Sequence, residues 1–331
     1  MLDATTGLEP RQGRIVAAFA AVYLIWGSTY LAIRFAIETI PPHLMAAARF
    51  LVAGAILYAW ARLRGAPRPS FTNWRAAAVV GGLLLLGGNG AVVWAETRVP
   101  SGVTSLLVAT VPIWMAIIES VRRGGRRPAT AVIAGLVLGL GGLALLLAPG
   151  RLAGRVDALG AGALLLGSFS WAFGSLLSRT AKLPKSGFLA AAMEMIAGGA
   201  WLLLFGLVTG QAGRLTLAAL SAKSLVSLAY LIVFGSLVGF TAYIWLLGAT
   251  TASRVSTYAY VNPVVAVLLG WAFAGEAMTL RTAVAAGVIV AAVALIIRYG
   301  ARPATVPSRE TPLPSAPAAT TGAVPRQATA R

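Results

Sequence analysis

The chain has no cysteine, a single histidine and only nine acidic residues against 27 basic ones in 331 positions. Without cysteine there is no disulfide, thiol nucleophile or thiolate metal site. The lone histidine, His43, follows Pro41-Pro42 at an expected helix start, where a cap or loop role accounts for it. No Asp and no Lys lies in the interior of an apolar run. No Asp pair, Ser–His pair or Ser–Lys pair is therefore available for catalysis inside a membrane, and neither an enzyme nor a cofactor is expected.

What is abundant is apolar. Hydrophobic residues make up 58% of the chain and charged ones 11%, and the mean hydropathy is +0.83, which excludes an ordinary soluble domain. Ten apolar runs approach the length of a helical membrane span: 15–37, 43–61, 76–95, 101–121, 129–148, 157–178, 186–208, 224–246, 254–274 and 282–299. None alternates with period two, so a barrel is out and helices must satisfy the backbone in lipid. The expected class is an all-α polytopic membrane protein with ten transmembrane helices.

The runs fall into two related sets. Trp26-Gly-Ser-Thr-Tyr-Leu-Ala-Ile-Arg34 is echoed by Trp171-Ala-Phe-Gly-Ser-Leu-Leu-Ser-Arg179, an offset of 145 (171 − 26). Gly88, Ala91, Trp94, Ser105 and Pro112 recur as Gly239, Ala242, Trp245, Ser256 and Pro263, each at an offset of 151 (263 − 112). A repeat this long organises the whole chain. Five helices per half forces the halves to run in opposite directions, and inverted repeats are a hallmark of secondary transporters with a midplane site. The expected boundaries are 1–14 for the N-terminus, 15–148 and 157–299 for the repeats, 149–156 for the linker and 300–331 for a disordered Pro/Ala-rich tail.

The net charge of +18 follows topology and does not call for a nucleic-acid partner. Fourteen Lys and Arg lie on the side of the N-terminus and the even-to-odd loops, among them Arg122, Arg123, Arg126 and Arg127, and six on the other. That bias places both termini in the cytoplasm, with the bilayer and a small solute as the expected partners.

Several buried groups are candidates for the work. Pro112 and Pro263 sit at equivalent mid-run positions and would each free a backbone carbonyl, a paired break that suits a hinge or binding site as well as a static kink. Asn89 and Asn262 place amides deep in their spans, and Trp26, Trp171, Tyr243, Tyr258 and Tyr260 could line an amphipathic cavity with Ser28. Glu194 and Arg49 are the intramembrane charges, candidates for proton coupling or for a structural pair. Glu96 and Glu119, nearer the ends of their runs, are expected to be solvated, and Arg34 and Arg179 to reach the interface. The Gly135-x-x-x-Gly139 and Gly235-x-x-x-Gly239 spacings suit internal packing better than a homodimer seam, which stays open.

Trp26-Gly-Ser, the run ending Ala109-Thr-Val-Pro112, and Val261-Asn-Pro263 leading to Gly275-Glu276 resemble the drug/metabolite transporter superfamily. More narrowly the chain is similar to its ten-helix bacterial inner-membrane exporters with two EamA domains. The resemblance covers about residues 15–299 and implies export of amino acids or related metabolites. One departure stands out: the position matching Gly275-Glu276 in the first half is an Arg-rich loop at Gly125, so that Glu has no symmetric partner. The expected function is a secondary transporter working by alternating access with proton coupling. A passive facilitator, or an uptake carrier for another small solute, is the alternative.

Overall fold

The computed structural model describes residues 10–99, 101–121, 128–147, 157–274 and 279–299. Ten helical rods account for them. They are α1 (Pro10–Ala36), α2 (Pro42–Leu63), α3 (Phe71–Ala95), α4 (Ser101–Val108 with Val111–Val121), α5 (Thr130–Leu147), α6 (Ala158–Ser178), α7 (Gly187–Val208), α8 (Ala222–Ala249), α9 (Tyr258–Ala274) and α10 (Leu280–Tyr299). A short helix, Ala252–Val255, precedes α9, and two 3₁₀ turns lie between α7 and α8. The proposed 300–331 tail, the 149–156 linker and Gly275-Glu276 lie outside the described residues.

Local sequence explains the starts. Pro41-Pro42 opens α2 with the residue type that tolerates a first helical turn. Ser70 caps α3 with a reciprocal capping box to Asn73, while Asp157, Ser186 and Ser221 cap α6, α7 and α8 by accepting from backbone N–H groups three residues on. Among the described residues six rods are long and apolar enough to cross a membrane: α1, α2, α3, α6, α7 and α8. Their outward faces carry exposed Leu24, Leu31, Ile56, Leu166 and Leu204. A water-facing surface would not hold so much apolar area, whereas hydrocarbon requires it.

The helix pairing is symmetric under exchange of each rod with the one five places later. α2 packs on α7 and α5 on α10, pairs that map onto themselves. α1 packs on α9 as α6 packs on α4, and α3 packs on α6 as α8 packs on α1. Small residues allow these approaches, since lipid offers little hydrophobic drive between helices. A methyl at Gly198 of α7 would sit 2.5 Å from the Gly81 carbonyl of α3, and one at Gly135 of α5 2.8 Å from Ile296 of α10. Gly139 faces Tyr260, Gly235 faces Arg49 and Gly239 faces Trp26, so both GxxxG spacings are used inside the bundle.

α3 and α8 share a rarer feature. Their middles, Gly82–Gly90 and Leu231–Phe240, are π-helical, with the wider i→i+5 hydrogen bonding usually confined to single turns near functional sites.

The rods α4 and α9 depart from the sequence expectation. The run 101–121 is not one helix: it stops at Ala109–Thr110, where the Thr110 N–H bonds to Leu107 O at 3.2 Å, and restarts at Val111. Pro112 is therefore the second residue of a new segment rather than a mid-helix break, at a position where its missing N–H leaves no bond unmade. Pro263 does lie inside α9.

Candidate functional site

Trp26 and Trp171 meet at the middle of the bundle, their rings 5.7 Å apart and edge to face. Each is seated on a glycine of the opposite half. A methyl at Gly239 would lie 2.5 Å from Trp26 Nε1, and one at Gly88 2.7 Å from Trp171 Cε3. Trp26 Nε1 donates to the Gly235 carbonyl at 3.1 Å, within the π-helical stretch of α8. Trp171 Nε1 donates to the Tyr243 hydroxyl at 2.9 Å. The rings of Tyr243 and Tyr258 lie 5.1 and 5.0 Å from that of Trp26, the first tilted and the second edge to face. Edge-to-face pairs of this kind contribute about 0.5–1.5 kcal/mol each beyond their buried area.

Beside this knot lies a cavity of ≈ 80 Å³. Its wall takes Thr29, Tyr30 and Ile33 from α1, Arg49 and Phe50 from α2, Gly88, Asn89 and Val92 from α3, and Val108 and Val111 from α4. Gly167, Ser168 and Trp171 of α6, Phe240 of α8, and Tyr258 and Asn262 of α9 complete it, so both halves contribute. The lining of α1 and α3 comes from their C-terminal halves and that of α2 from its N-terminal half. The second half reaches it from the other direction: Phe240 comes from the C-terminal half of α8 and Tyr258 and Asn262 from the N-terminal half of α9, so the cavity straddles the contact of the two halves. Asn262 is buried, and the amide orientation that suits its neighbours donates to Tyr258 O at 3.0 Å and Tyr23 O at 3.3 Å, tying α9 to α1.

Of the residues expected from sequence, Trp26, Asn89, Trp171, Tyr258, Asn262 and Arg49 come together at the cavity. Three of those expected to contact cargo do not line it, nor do Pro112, Pro263 and Glu194. Ser28 bonds to Tyr230 and to its own helix, and Tyr243 is fully buried behind the tryptophans. Tyr260 is buried against Gly139, its hydroxyl donating to Leu136 O at 3.3 Å in the separate core between α5, α9 and α10. Thr29, Phe50 and Phe240 line the cavity without having been singled out. Phe50 follows Arg49 directly, with the guanidinium carbon 4.6 Å from its ring centroid.

The two intramembrane charges do not pair. Arg49 donates from Nε to Ser236 Oγ at 2.8 Å, leaving Nη1 buried with no partner. Glu194 is fully buried on α7, where Ser178 donates to Oε1 at 3.0 Å and Oε2 has no partner. Inversion of the halves separates them: Arg49 is on the cavity side, Glu194 nearer the N-terminus of its rod. Glu96 corrects another expectation. Both its carboxylate oxygens are buried with no hydrogen-bond partner, and the exposed Arg34 supplies the nearby opposite charge. The 89, 92, 96 spacing on α3 was the available signal, for it puts Glu96 on the cavity-lining face. His43 is buried as well, and Gln211 ties it to the α7–α8 connection by accepting its backbone N–H at 3.0 Å. Among the described residues no group of three or more His, Cys, Asp or Glu could hold a metal.

The model of the EamA-like transporter family matches residues 13–148 and again 158–298. The chain is 41% identical over 283 residues to the uncharacterized inner membrane transporter YedA of Escherichia coli, covering 85% of this chain and 90% of the relative. It is 26% identical over 288 residues to a probable terminal-alkyne amino-acid exporter of Streptantibioticus cattleyicolor, covering 86% of this chain and 94% of that protein. A crystal structure of a protein 22% identical superposes with a TM-score of 0.69 over 86% of this chain and 98% of the other, which is a likeness of fold.

Proposed function

The chain belongs to the EamA-like transporter family, and from that premise we propose that it moves a small metabolite, an amino acid or related compound, outward across a bacterial inner membrane by alternating access. The observation that carries this reading is the cavity walled by both halves at the Trp26–Trp171 contact. A site at the junction of inverted repeats can be exposed to either side when one half rocks against the other. With both termini in the cytoplasm, as the Lys/Arg asymmetry supports, the share of the wall on α1, α2 and α3 lies toward the outside and that on α8 and α9 toward the inside, as a midplane site requires. The exporter from Streptantibioticus supports amino-acid-like cargo and the outward direction. Glu194, an uncompensated acid on the opposite side of the tryptophans, is the carboxylate proposed to couple transport to protons.

The test is uptake of a labelled amino-acid panel into proteoliposomes, with and without an imposed pH gradient, for wild type and Glu194→Gln. Gradient-driven accumulation that Glu194→Gln abolishes, leaving passive equilibration, is the expected result. Equilibration by wild type regardless of the gradient would identify a facilitator and remove Glu194 from the mechanism.

A further inference from the structure

We infer that Arg49 is the anchor for a negatively charged oxygen group on the cargo, so that the solute is a small organic acid or zwitterion bearing a carboxylate or phosphate. The inference rests on the cavity's being a solute site, as proposed above. Arg49 is 4% exposed yet lines the cavity. Its Nε is committed to Ser236 and its Nη1 has no partner. Among the described lining residues it is the one with a formal charge; the rest are aromatic, aliphatic, Gly, Ser, Thr or Asn. Neither buried acid is paired with it: Glu194 is turned to Ser178, and Glu96 has no hydrogen-bond partner and lies near Arg34.

A guanidinium held in low dielectric without a counter-charge is strongly unfavourable, and such a group persists where a partner is supplied intermittently. A bound oxyanion would supply it through charge-assisted hydrogen bonds, which are about twice as strong as neutral ones. Asn89 adds a second, independent request. Its Oδ1 is buried on the same cavity wall with no donor, and Arg49 Nη1 does not reach it, since both atoms are left unpartnered. Water could satisfy the amide but would not neutralise the charge. A ligand carrying an acid group and a nearby N–H or O–H donor satisfies both, and the faces of Trp26, Trp171 and Tyr258 can receive its carbon skeleton.

The experiment uses the purified full-length protein in detergent and reads thermal unfolding and quenching of tryptophan fluorescence, which the two cavity tryptophans should report. Four probes share one phenyl skeleton: 3-phenylpropanoate, phenylalanine, phenylalaninamide and phenyl phosphate. The expected result is that the acid and the zwitterion, or the phosphate, raise Tm and quench, while the amide does neither. The two oxyanion arms decide which acid group is preferred. Affinity for the preferred probe should fall at least about tenfold in Arg49→Gln and recover in part in Arg49→Lys. The wild-type ranking tests the inference even where Arg49→Gln fails to fold. Equal binding of the amide, no binding by any oxyanion, or unchanged affinity in Arg49→Gln would overturn it. Oxyanion binding without flux in proteoliposomes would keep Arg49 as an anion site and remove the transport reading. Flux of the amide through wild type would do the reverse.

Discussion

In α4 the chain leaves the helix at Ala109–Thr110 and resumes at Val111, so Pro112 falls in a first turn; before α9 it leaves the helix at Ser256–Thr257, so Pro263 is six residues into the next one. At the 151-residue offset Ala109 corresponds to position 260 (109 + 151), so the interruption in the second half comes four residues, about one turn, earlier. The two halves thus share a sequence pattern without sharing a conformation. The inequality has a physical use. With their breaks out of step, the two halves present different side chains to one cavity. The α4 break brings Val108 and Val111 to the wall; α9 brings Tyr258 and Asn262.

The equivalence of the two halves meets its most severe test at the tryptophan seats. Gly88→Leu and Gly239→Leu should each cost about 3 kcal/mol or more by overpacking against the facing indole, read as loss of monodisperse protein on fluorescence-detected gel filtration. Similar losses are expected if the seats are equivalent; a harmless substitution at either would show that they are not. The prolines should separate the halves instead. Pro263→Ala restores an interior N–H and is expected to slow flux about tenfold, or about 1.4 kcal/mol in barrier. Pro112→Ala, in a first turn, should leave flux within about twofold. Equal slowing in the two variants would mean that the shifted break is irrelevant to transport. Smallest are the serines holding the buried charges. Ser236→Ala removes a bond between α8 and α2 in opposite halves, and Ser178→Ala one between α6 and α7 in the same half. Each should lower stability by about 1 kcal/mol in thermal unfolding.

Much of this was legible beforehand where pattern and packing coincide. The Trp26/Trp171 echo and the Gly88/Gly239 match, found as offsets, turn out to be two sides of one contact. Asn89, Asn262 and Arg49 were recoverable because a polar group in an apolar run must face protein. Less legible were the features that depend on a partner's shape. Tyr260 is directed into the α5–α10 core by the space at Gly139, and nothing in its own segment distinguishes it from Tyr258. Pro112 marks a restriction on the backbone, but the break falls two to three residues before it. Glu96 reads as an end residue because distance along a helix is visible in sequence and lateral burial is not.

The crossed seating of the tryptophans makes each half an unfinished surface, with its own indole projecting and its own glycine seat empty. All four residues of that arrangement lie in the rods rather than in the peptide connection between the halves. Its contribution is stoichiometry, one half per half, and a local concentration on the order of millimolar in place of a chance encounter in the bilayer. Two separately translated chains, one ending near 148 and the other beginning near 157, would carry every inter-half contact described above. Co-expressed, they should assemble with each other in preference to themselves.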